Sequence, residues 1–268
     1  MKLSIYQVDA FTNAVFGGNP AAVVPLESWL DDNLLQKIAA ENNVSETAFF
    51  VTQNDGYAIR WFTPVREVDL CGHATLATAF VISCLFDNEA SVLQFDSASG
   101  ELLVRLNDDK LELDFPSRPA ISVDAVLAEK IAAALGCKPL WCGSTHNSNP
   151  ESDKVLAVLN TDAAVQAVIP DGQLLKQLPG QGLIVSAEGK KCDFVSRYFA
   201  PKAGVDEDPA TGSAHCTLVP YWSAKLGKKA LFAHQLSKRG GELWCRLIDD
   251  RVRIAGQAVL YLKGEVTI

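Results

Sequence analysis

The sequence has little positive charge, and this shortage limits the partners that it could bind. It carries 24 lysine and arginine residues against 32 aspartate and glutamate residues, which gives a formal net charge of −8 at pH 7. Nucleic-acid backbones are bound through a basic stripe that neutralises phosphates. The charge balance therefore argues against a nucleic-acid partner.

Long apolar runs are also absent from the sequence. The longest one, near residues 74–86, is interrupted by Thr75, Thr78, Ser83 and Cys84, so it is too short and too polar to span a bilayer. The first residues lead directly into an alternating strand pattern, without the features of a signal peptide. We therefore expect a cytoplasmic protein without a membrane partner.

The common cofactor and metal motifs are missing as well. Seven cysteines form an odd set without the spacing of a disulfide framework, which is typical of free thiols in a reducing compartment. The sequence contains no CxxC, HExxH or Walker A motif, and the run Gly180-Gln181-Gly182 lacks the third glycine of the dinucleotide fingerprint. The sequence thus predicts neither a metal nor an organic cofactor.

The sequence does have enough apolar residues, 48% of 268, to bury the core of one large or two medium domains. Short strand patterns alternate with helical patterns in both halves. Pro116 and Pro119 stop any regular element between the halves, and a new helix is predicted from Ser122 to Gly136. We therefore expect an N-terminal lobe of residues 1–118, a C-terminal lobe of residues 119–258, and a last strand at about 259–268 that returns to the first lobe.

The two halves contain a repeated motif. Residues 60–64, Arg-Trp-Phe-Thr-Pro, match residues 197–201, Arg-Tyr-Phe-Ala-Pro. After each proline a loop carries an acid, Asp69 or Asp208, and a glycine then opens an apolar helix. A repeated supersecondary unit predicts two similar lobes around a cleft. The alternative is a chance match that reflects only how strands end.

Each of these apolar helices begins at a glycine, Gly72 in the first half and Gly212 in the second, and the second helix is predicted to end near Leu226. A helix N-terminus has unpaired N–H groups and a partial positive charge, and glycine lets a ligand approach closely. Two such termini facing one cleft would bind a carboxylate or stabilise an enolate-like intermediate. Ordinary helix capping is the alternative, which we favour for either helix alone but not for the matched pair.

Three ionisable side chains near these helices are candidates for chemistry. Glu46 stands where the chain enters an apolar strand and can be partly desolvated, although spacing alone does not select it. Asp208 precedes the second helix. An acid at this place can stabilise the helix N-terminus or take part in catalysis, and the sequence favours neither explanation over the other. His73 could shuttle a proton or merely cap its helix. Ser213 and His215 are two residues apart on a helix, which argues against a Ser–His dyad.

At these positions the sequence resembles the PhzF-like, or phenazine-biosynthesis-like, isomerases over essentially the whole chain. Any one matching block alone would be weak, and six blocks in the family's order are highly specific. The blocks are Asp9-Ala10-Phe11-Thr12, Gly18-Asn19-Pro20-Ala21, Ser45-Glu46-Thr47-Ala48-Phe49, Arg60-Trp61-Phe62-Thr63-Pro64, Cys71-Gly72-His73-Ala74-Thr75 and Asp208-Pro209-Ala210-Thr211-Gly212-Ser213-Ala214-His215.

The resemblance implies the α+β fold of diaminopimelate epimerase. In this fold two similar lobes, each a curled, mostly antiparallel sheet around a central buried helix, hold the active site between them. The resemblance also implies a homodimer without metal or cofactor. Glu46 matches the family's proton-shuttling acid/base, and His73 and Asp208 complete the expected catalytic set. The expected substrate-binding residues are Gly72, His73, Gly212 and Ser213.

Epimerases with this fold use two cysteines as opposed bases, one before each helix glycine. Here Cys71 fills the first place and Thr211 the second, which argues against two-base epimerisation. We therefore expect an isomerase in which a single carboxylate, Glu46, moves a proton on a small unsaturated or cyclic carboxylate. The alternatives are a protein that binds a small carboxylate without turnover and an amino-acid epimerase.

Overall fold

The computed structural model of the chain describes residues 1–53, 56–86 and 89–268. These residues form two compact units. The first unit consists of Met1–Asp114 together with Ala255–Ile268, and the second consists of Phe115–Ile254.

The chain begins with β1 (Lys2–Ala10), β2 (Asn19–Leu26), α1 (Asp32–Asn42), β3 (Glu46–Gln53), β4 (Gly56–Phe62), β5 (Glu67–Val68), α2 (Gly72–Leu85), β6 (Val92–Ser97), β7 (Gly100–Asn107) and β8 (Lys110–Pro116). The last two residues of β8 already belong to the second unit. The chain continues with β9 (Ile121–Ser122), α3 (Ala125–Leu135), β10 (Trp141–Ser144), β11 (Lys154–Val158), α4 (Asp162–Ala167), α5 (Gly172–Leu175), β12 (Gly182–Glu188), β13 (Phe194–Ala200), β14 (Val205–Asp208), α6 (Gly212–Leu226), β15 (Ala230–Gln235), β16 (Gly241–Ile248), β17 (Arg251–Gly256) and β18 (Ala258–Thr267). Short 3-10 turns lie at Pro150–Ser152 and Pro201–Ala203.

The strands of the first unit form a mostly antiparallel sheet. β2 runs parallel to β3, and β4 runs parallel to β6. The pairs β1–β2, β3–β4, β4–β5, β6–β7 and β7–β8 are antiparallel. The last strand, β18, also pairs antiparallel with β1, from Lys2 opposite Thr267 to Ala10 opposite Ala258.

The second unit repeats this order of strand directions. β11 runs parallel to β12, and β13 runs parallel to β15. The pairs β9–β10, β10–β11, β12–β13, β13–β14 and β15–β16 are antiparallel. The motif that is repeated in the sequence therefore marks a repeated arrangement of strands, with β4 and β13 in matching places.

Each unit encloses one apolar helix. In α2 the residues from His73 to Ala79, with Val81 and Ile82, are buried, so the helix is covered on nearly all sides, as its apolar sequence predicts. The hydroxyls of Thr75 and Thr78 donate to backbone carbonyls one turn back, at 2.6 and 2.7 Å, which satisfies them inside the core. Burial of a side chain such as Ile82 contributes about 1.5–3 kcal/mol.

The corresponding helix of the second unit is α6, whose predicted bounds, Gly212 and Leu226, are confirmed. Its buried residues include Leu218, Val219 and Trp222, and the Trp222 indole donates to the buried Ser186 hydroxyl at 2.8 Å. None of the described helices has the length and apolar character that crossing a bilayer needs.

The arginines of the repeated motif form equivalent ion pairs. Arg60 donates through Nε and Nη2 to both carboxylate oxygens of Glu67, each at 2.7 Å. Arg197 donates in the same way to Glu207, at 2.6 and 2.9 Å. Each pair joins the strand that carries the motif to the segment that leads into the apolar helix. The repeated arginine therefore has a structural role in both units.

The predicted start of the helix that follows the two prolines is wrong. We expected it to begin at Ser122, but Ser122 lies in β9, where it pairs with β10. The helix α3 begins at Ala125, because the Asp124 side chain caps it by accepting a hydrogen bond from the Leu127 N–H at 2.8 Å.

The expected loop position of Asp208 is also wrong. Asp208 is the last residue of β14 and lies opposite Tyr198 of β13. The sequence of β14, Val-Asp-Glu-Asp, has no strand pattern of its own, and pairing with a neighbouring strand overrides such weak local preferences.

Candidate functional site

Glu46 and His73 form a buried ion pair in the first unit. Glu46 opens β3, and His73 is the second residue of α2. The Nε2 atom of His73 lies 3.0 Å from Oε2 of Glu46, with the side chains 7% and 19% exposed. The alignment of the two groups does not meet hydrogen-bond geometry, so the contact is an ion pair. Part of the Glu46 side chain stays accessible beside an almost fully enclosed imidazole.

Asn19 and Ser45 hold the other side of the imidazole. The fully buried Asn19 places its Nδ2 atom 3.2 Å from Nδ1 of His73, and its Oδ1 atom accepts a hydrogen bond from the Ser45 hydroxyl at 2.9 Å. In this orientation the amide donates to Nδ1, so a neutral His73 carries its proton on Nε2, toward Glu46. The network thus favours the neutral tautomer with its proton on Nε2, the ring nitrogen that lies 3.0 Å from the carboxylate.

The charge state of His73 depends on its acidic neighbours. Burial by itself disfavours an imidazolium, but Cys71 and Glu46 outweigh it and hold the pKa of His73 well above its usual value. Burial, followed by the Glu46 charge, also raises the pKa of the Cys71 thiol. The two acidic neighbours, Cys71 and Glu46, therefore favour the imidazolium form of His73. Protonation of Nδ1 then requires the Asn19 amide to turn over, so that its oxygen accepts from the ring.

Cys71 lies on the opposite side of the imidazole from Glu46. Its Sγ atom is 3.5 Å from Nδ1 of His73. Ligand atoms of Glu46, Cys71 and His73 lie within 4.8 Å of one another, close enough to hold a metal ion. However, His73 turns Nδ1 toward the thiol and Nε2 toward the carboxylate, so one ion could not use all three groups unless the ring rotated. The expectation that the protein needs no metal stays a prediction.

The N-terminus of α2 opens beside this ion pair. Cys71 occupies the N-cap position but gives no side-chain hydrogen bond to the first turn. The first N–H groups of a helix have no partner within the helix and carry a partial positive charge. The start of α2 at Gly72 can therefore offer N–H donors to an anion.

A second polar group surrounds the start of α6 in the second unit. Thr211 is the N-cap, again without a side-chain hydrogen bond to the helix; its hydroxyl donates to the Asp208 carboxylate. The buried side chain of Gln235 accepts from the Thr211 N–H at 2.8 Å and donates to the Asp208 carbonyl at 2.7 Å. Gln235 thus fixes the turn that leads into Gly212.

His215 is a structural neighbour of this turn. It is completely buried, and its Nδ1 atom lies 2.8 Å from the Thr211 carbonyl oxygen, to which it donates as a neutral imidazole. Burial lowers the pKa of His215 to about 4, so it is uncharged at neutral pH. Its ring packs 5.7 Å from that of Phe194. His215 therefore supports the N-cap of α6 rather than activating Ser213.

The residues expected from the sequence fall into two groups. Glu46, Gly72 and His73 lie together in the first unit, and Asp208, Gly212 and Ser213 lie around the start of α6 in the second. Each group combines a carboxylate with a helix N-terminus that its N-cap residue leaves uncapped. The catalytic and substrate-binding roles of these residues stay predictions.

Reasoning from the sequence did not select Asn19, Ser45 or Gln235 as site residues. Asn19 and Ser45 stand inside two of the matching blocks, and Ser45 directly precedes Glu46; membership of these blocks was the available signal. Gln235 has no such signal, because it reaches the Asp208–Thr211 turn only through the pairing of β15 with β13.

Comparison with known proteins identifies the family. Residues 8–264 match the PhzC-PhzF family, described as phenazine biosynthesis-like protein. A Pseudomonas aeruginosa protein named as an uncharacterized isomerase is 50% identical over 269 residues, with all of both chains covered. A crystal structure of a PhzF-family phenazine biosynthesis protein from Enterococcus faecalis has a TM-score of 0.91 and 45% identity, also with all of both chains covered.

A more distant structure bears on the fold alone. The hydroxyproline epimerase of Agrobacterium vitis has a TM-score of 0.60 at 10% identity, over 99% of this chain and 92% of that one. The predicted α+β fold of the epimerase type is confirmed. This chain belongs to the phenazine biosynthesis-like family and is an enzyme of the isomerase class.

Proposed function

We propose that this chain is a cofactor-independent isomerase that moves a proton on a small unsaturated or cyclic carboxylate. The Glu46 carboxylate takes a proton from a carbon made acidic by a neighbouring double bond or carbonyl group, and returns it to another atom of the same substrate. The electron pair of the broken C–H bond moves into the unsaturated system and forms the new bond on reprotonation. The reaction therefore needs no oxidant or reductant.

The ion pair between Glu46 and His73 is the observation that carries this proposal. A general base must be accessible to its substrate and yet be held in one place, and the partly exposed Glu46 beside the enclosed His73 meets both requirements. The Nε2 atom of His73 lies 3.0 Å from the carboxylate, so a rotation that aligns the two groups would let the imidazole share or relay a proton while Glu46 is protonated.

The start of α2 supports the second half of the reaction. Removal of a proton from carbon leaves negative charge on the substrate, and N–H donors aimed at that charge stabilise the transition state by about 3 kcal/mol each. Gly72 opens the helix next to His73 and has no side chain to keep a ligand away from the N–H groups.

We further propose that Asp208, Gly212 and Ser213 contact the substrate. Support comes from the second helix start, which Thr211 leaves uncapped, and from the turn that Gln235 fixes in front of it. The Thr211 hydroxyl already donates to Asp208 and is a poor base. A single carboxylate base at Glu46 therefore fits better than the two-thiol chemistry of an epimerase. From the family resemblance we also propose a homodimer, which light scattering would test.

Hydrogen exchange with solvent tests the proposed reaction. The purified protein is incubated in D2O with a panel of small cyclic and acyclic unsaturated carboxylates, and deuterium incorporation is followed by NMR. We expect incorporation into at least one carboxylate, and a loss of at least about tenfold in its rate in Glu46→Gln, which keeps the shape but removes the base. Glu41→Gln, a change at an exposed glutamate of α1, is the matched control.

The other outcomes separate the alternatives. Binding without exchange across the whole panel would identify a non-catalytic carboxylate-binding protein. Exchange with inversion at one carbon would identify an epimerase. Exchange that proceeds at the wild-type rate in Glu46→Gln would assign the chemistry to a different base.

A further inference from the structure

Lys154 is a buried lysine whose ammonium group has no hydrogen bond or ion pair among the described residues. It opens β11 and is only 5% exposed. Its backbone N–H donates to the Thr145 hydroxyl at 2.8 Å, and it lies opposite Gly182 in the sheet. Lysine is almost never buried without a partner, because the charge loses its hydration. The ring of Tyr198 lies beneath the ammonium, but no ion pair among the described residues neutralises its charge.

The groups around the ammonium include residues that flank the start of α6. The Nζ atom is 5.9 Å from the centre of the Tyr198 ring, and Tyr198 lies opposite Asp208 in the sheet. Lys154 also feels the charge of Asp208 and the thiol of Cys216. Cys216 belongs to the second turn of α6, with its sulfur 4.0 Å from the Gly212 carbonyl oxygen. The unpaired ammonium and the uncapped helix N-terminus thus share one region of the second unit.

The balance of charges in this region favours the binding of one anion. Burial and then Arg118 lower the pKa of Lys154, while Cys216, Asp153 and Asp208 raise it, with a net value of about 8. The group is therefore mostly an ammonium at pH 7. An ammonium that makes no ion-pair contact and N–H groups without a side-chain cap both favour a negatively charged ligand. The nearby Asp208 disfavours a ligand with two charges on one group, such as phosphate, more than a carboxylate.

We propose that the Lys154 ammonium, together with the first N–H groups of α6, binds a carboxylate group of the substrate. This inference rests on the proposed function, which supplies a carboxylate substrate, and it adds the group that recognises it. Lys154 acts here in binding. It takes no part in the proton transfer assigned to Glu46.

Malonate is a suitable probe, because it offers carboxylates and needs no turnover, and malonamide is its uncharged counterpart. Titrations at pH 7 follow the backbone amide NMR signals of Gly212 and Ser213. We expect malonate to shift both signals in the wild-type protein and malonamide to shift neither. In Lys154→Met the Kd for malonate should rise at least about tenfold, and in Lys154→Arg, which keeps a cation, it should change much less.

Lys176→Met, at an exposed lysine next to α5, is the matched control and should bind malonate as the wild type does. Inorganic phosphate should bind at least about tenfold more weakly than malonate; the reverse order would replace the carboxylate by a phosphate ligand and overturn the proposal. An unchanged Kd in a folded Lys154→Met protein would overturn it too. So would the absence of shifts at Gly212 and Ser213 at about 50 mM malonate.

The same titration in Glu46→Gln separates this inference from the proposed function. In the Glu46→Gln background, Lys154→Met should still raise the Kd for malonate at least about tenfold, because Lys154 and the start of α6 are unchanged by the first substitution. If deuterium exchange depends on Glu46 while the Kd for malonate does not change in Lys154→Met, only the role of Lys154 is wrong. If malonate binding depends on Lys154 while no carboxylate exchanges hydrogen, only the proposed reaction is wrong.

Discussion

The Nε2 atom of His73 lies 3.0 Å from the Oε2 atom of Glu46. This contact joins the start of α2 to the start of β3, two places where the chain enters an enclosed element. Because Asn19 contacts the other ring nitrogen, the imidazole is held from both sides. Its protonation should therefore affect the stability of the first unit.

Replacement of His73 by glutamine should lower turnover of an exchanging carboxylate by about 10² or more, because it removes the group beside Glu46, the carboxylate proposed as the base. The raised pKa of His73 keeps the imidazolium populated through neutral pH. Any step that needs this charge should fail as the pH rises through the raised pKa, and the variant should lack that alkaline limb. His146→Gln, at an exposed histidine, should keep both rate and profile. Identical pH–rate profiles in wild type and His73→Gln would exclude the role.

The same pKa shift predicts a pH-dependent stability difference. A histidine whose folded pKa is raised above its unfolded value of about 6.5 stabilises the protein fully below that unfolded value. The contribution is lost as the pH rises through the folded pKa. Urea unfolding of wild type and His73→Gln should therefore show the largest stability difference near pH 6 and a smaller one in alkaline solution. A difference that stays constant or grows with pH would contradict the ion pair.

Removal of the Asn19 amide should loosen the imidazole. In Asn19→Ala the Nδ1 atom of His73 loses its contact and the Ser45 hydroxyl loses its acceptor, at a cost of about 1–3 kcal/mol in the free energy of unfolding. The ¹⁵N signals of the imidazole report the tautomer, and we expect the Nε2–H preference of the neutral ring to weaken. Ser45→Ala breaks only the outer hydrogen bond and should leave the tautomer unchanged. A wild-type tautomer in both variants would assign its control to another group.

Some of these features could be predicted from the sequence, and others could not. The apolar helices that begin at Gly72 and Gly212 could be predicted, and so could the repeated motif before each of them. These features follow from residues close together in the sequence. The start of α3 depends on the pairing of Ser122 with Gly143 of β10, which leaves Asp124 as the cap, and the strand position of Asp208 depends on pairing with Tyr198. Contacts of that kind join residues distant in sequence, so spacing alone does not contain them.

The matched arginines of the two units should differ in their contribution to stability. Arg197 is the more buried, and its Nη1 atom also donates to the Val165, Gln166 and Val168 carbonyls at 3.3, 3.2 and 2.6 Å. Arg197→Gln should cost about 2–4 kcal/mol in the free energy of unfolding, because several acceptors lose a charged donor. Arg60→Gln, at the more exposed pair, should cost about 1 kcal/mol. Equal costs in urea unfolding would show that the carbonyl contacts of Arg197 contribute no more than the additional contact of Arg60 with Asp32.

Lys154 should lower the stability of the protein, as expected for a charge kept for binding. Its folded pKa of about 8 lies below the ordinary value of 10.5, so the folded state disfavours the proton, and the full cost is present below pH 8. The cost is relieved as the pH rises from 8 through 10.5. Lys154→Met, which fills similar space without a charge, should therefore be more stable than wild type at pH 7 by about 1–3 kcal/mol in urea unfolding.

At pH 10 this advantage of Lys154→Met should shrink, because the wild-type lysine is then neutral when folded. The groups around it, Arg118, Asp153, Asp208, Tyr198 and Cys216, are the same in both proteins, so the difference isolates Lys154. A methionine variant that is less stable than wild type at pH 7 would show that the ammonium stabilises the fold. In that case its burial would be explained without a ligand, and the anion site at the start of α6 would lose its main physical argument.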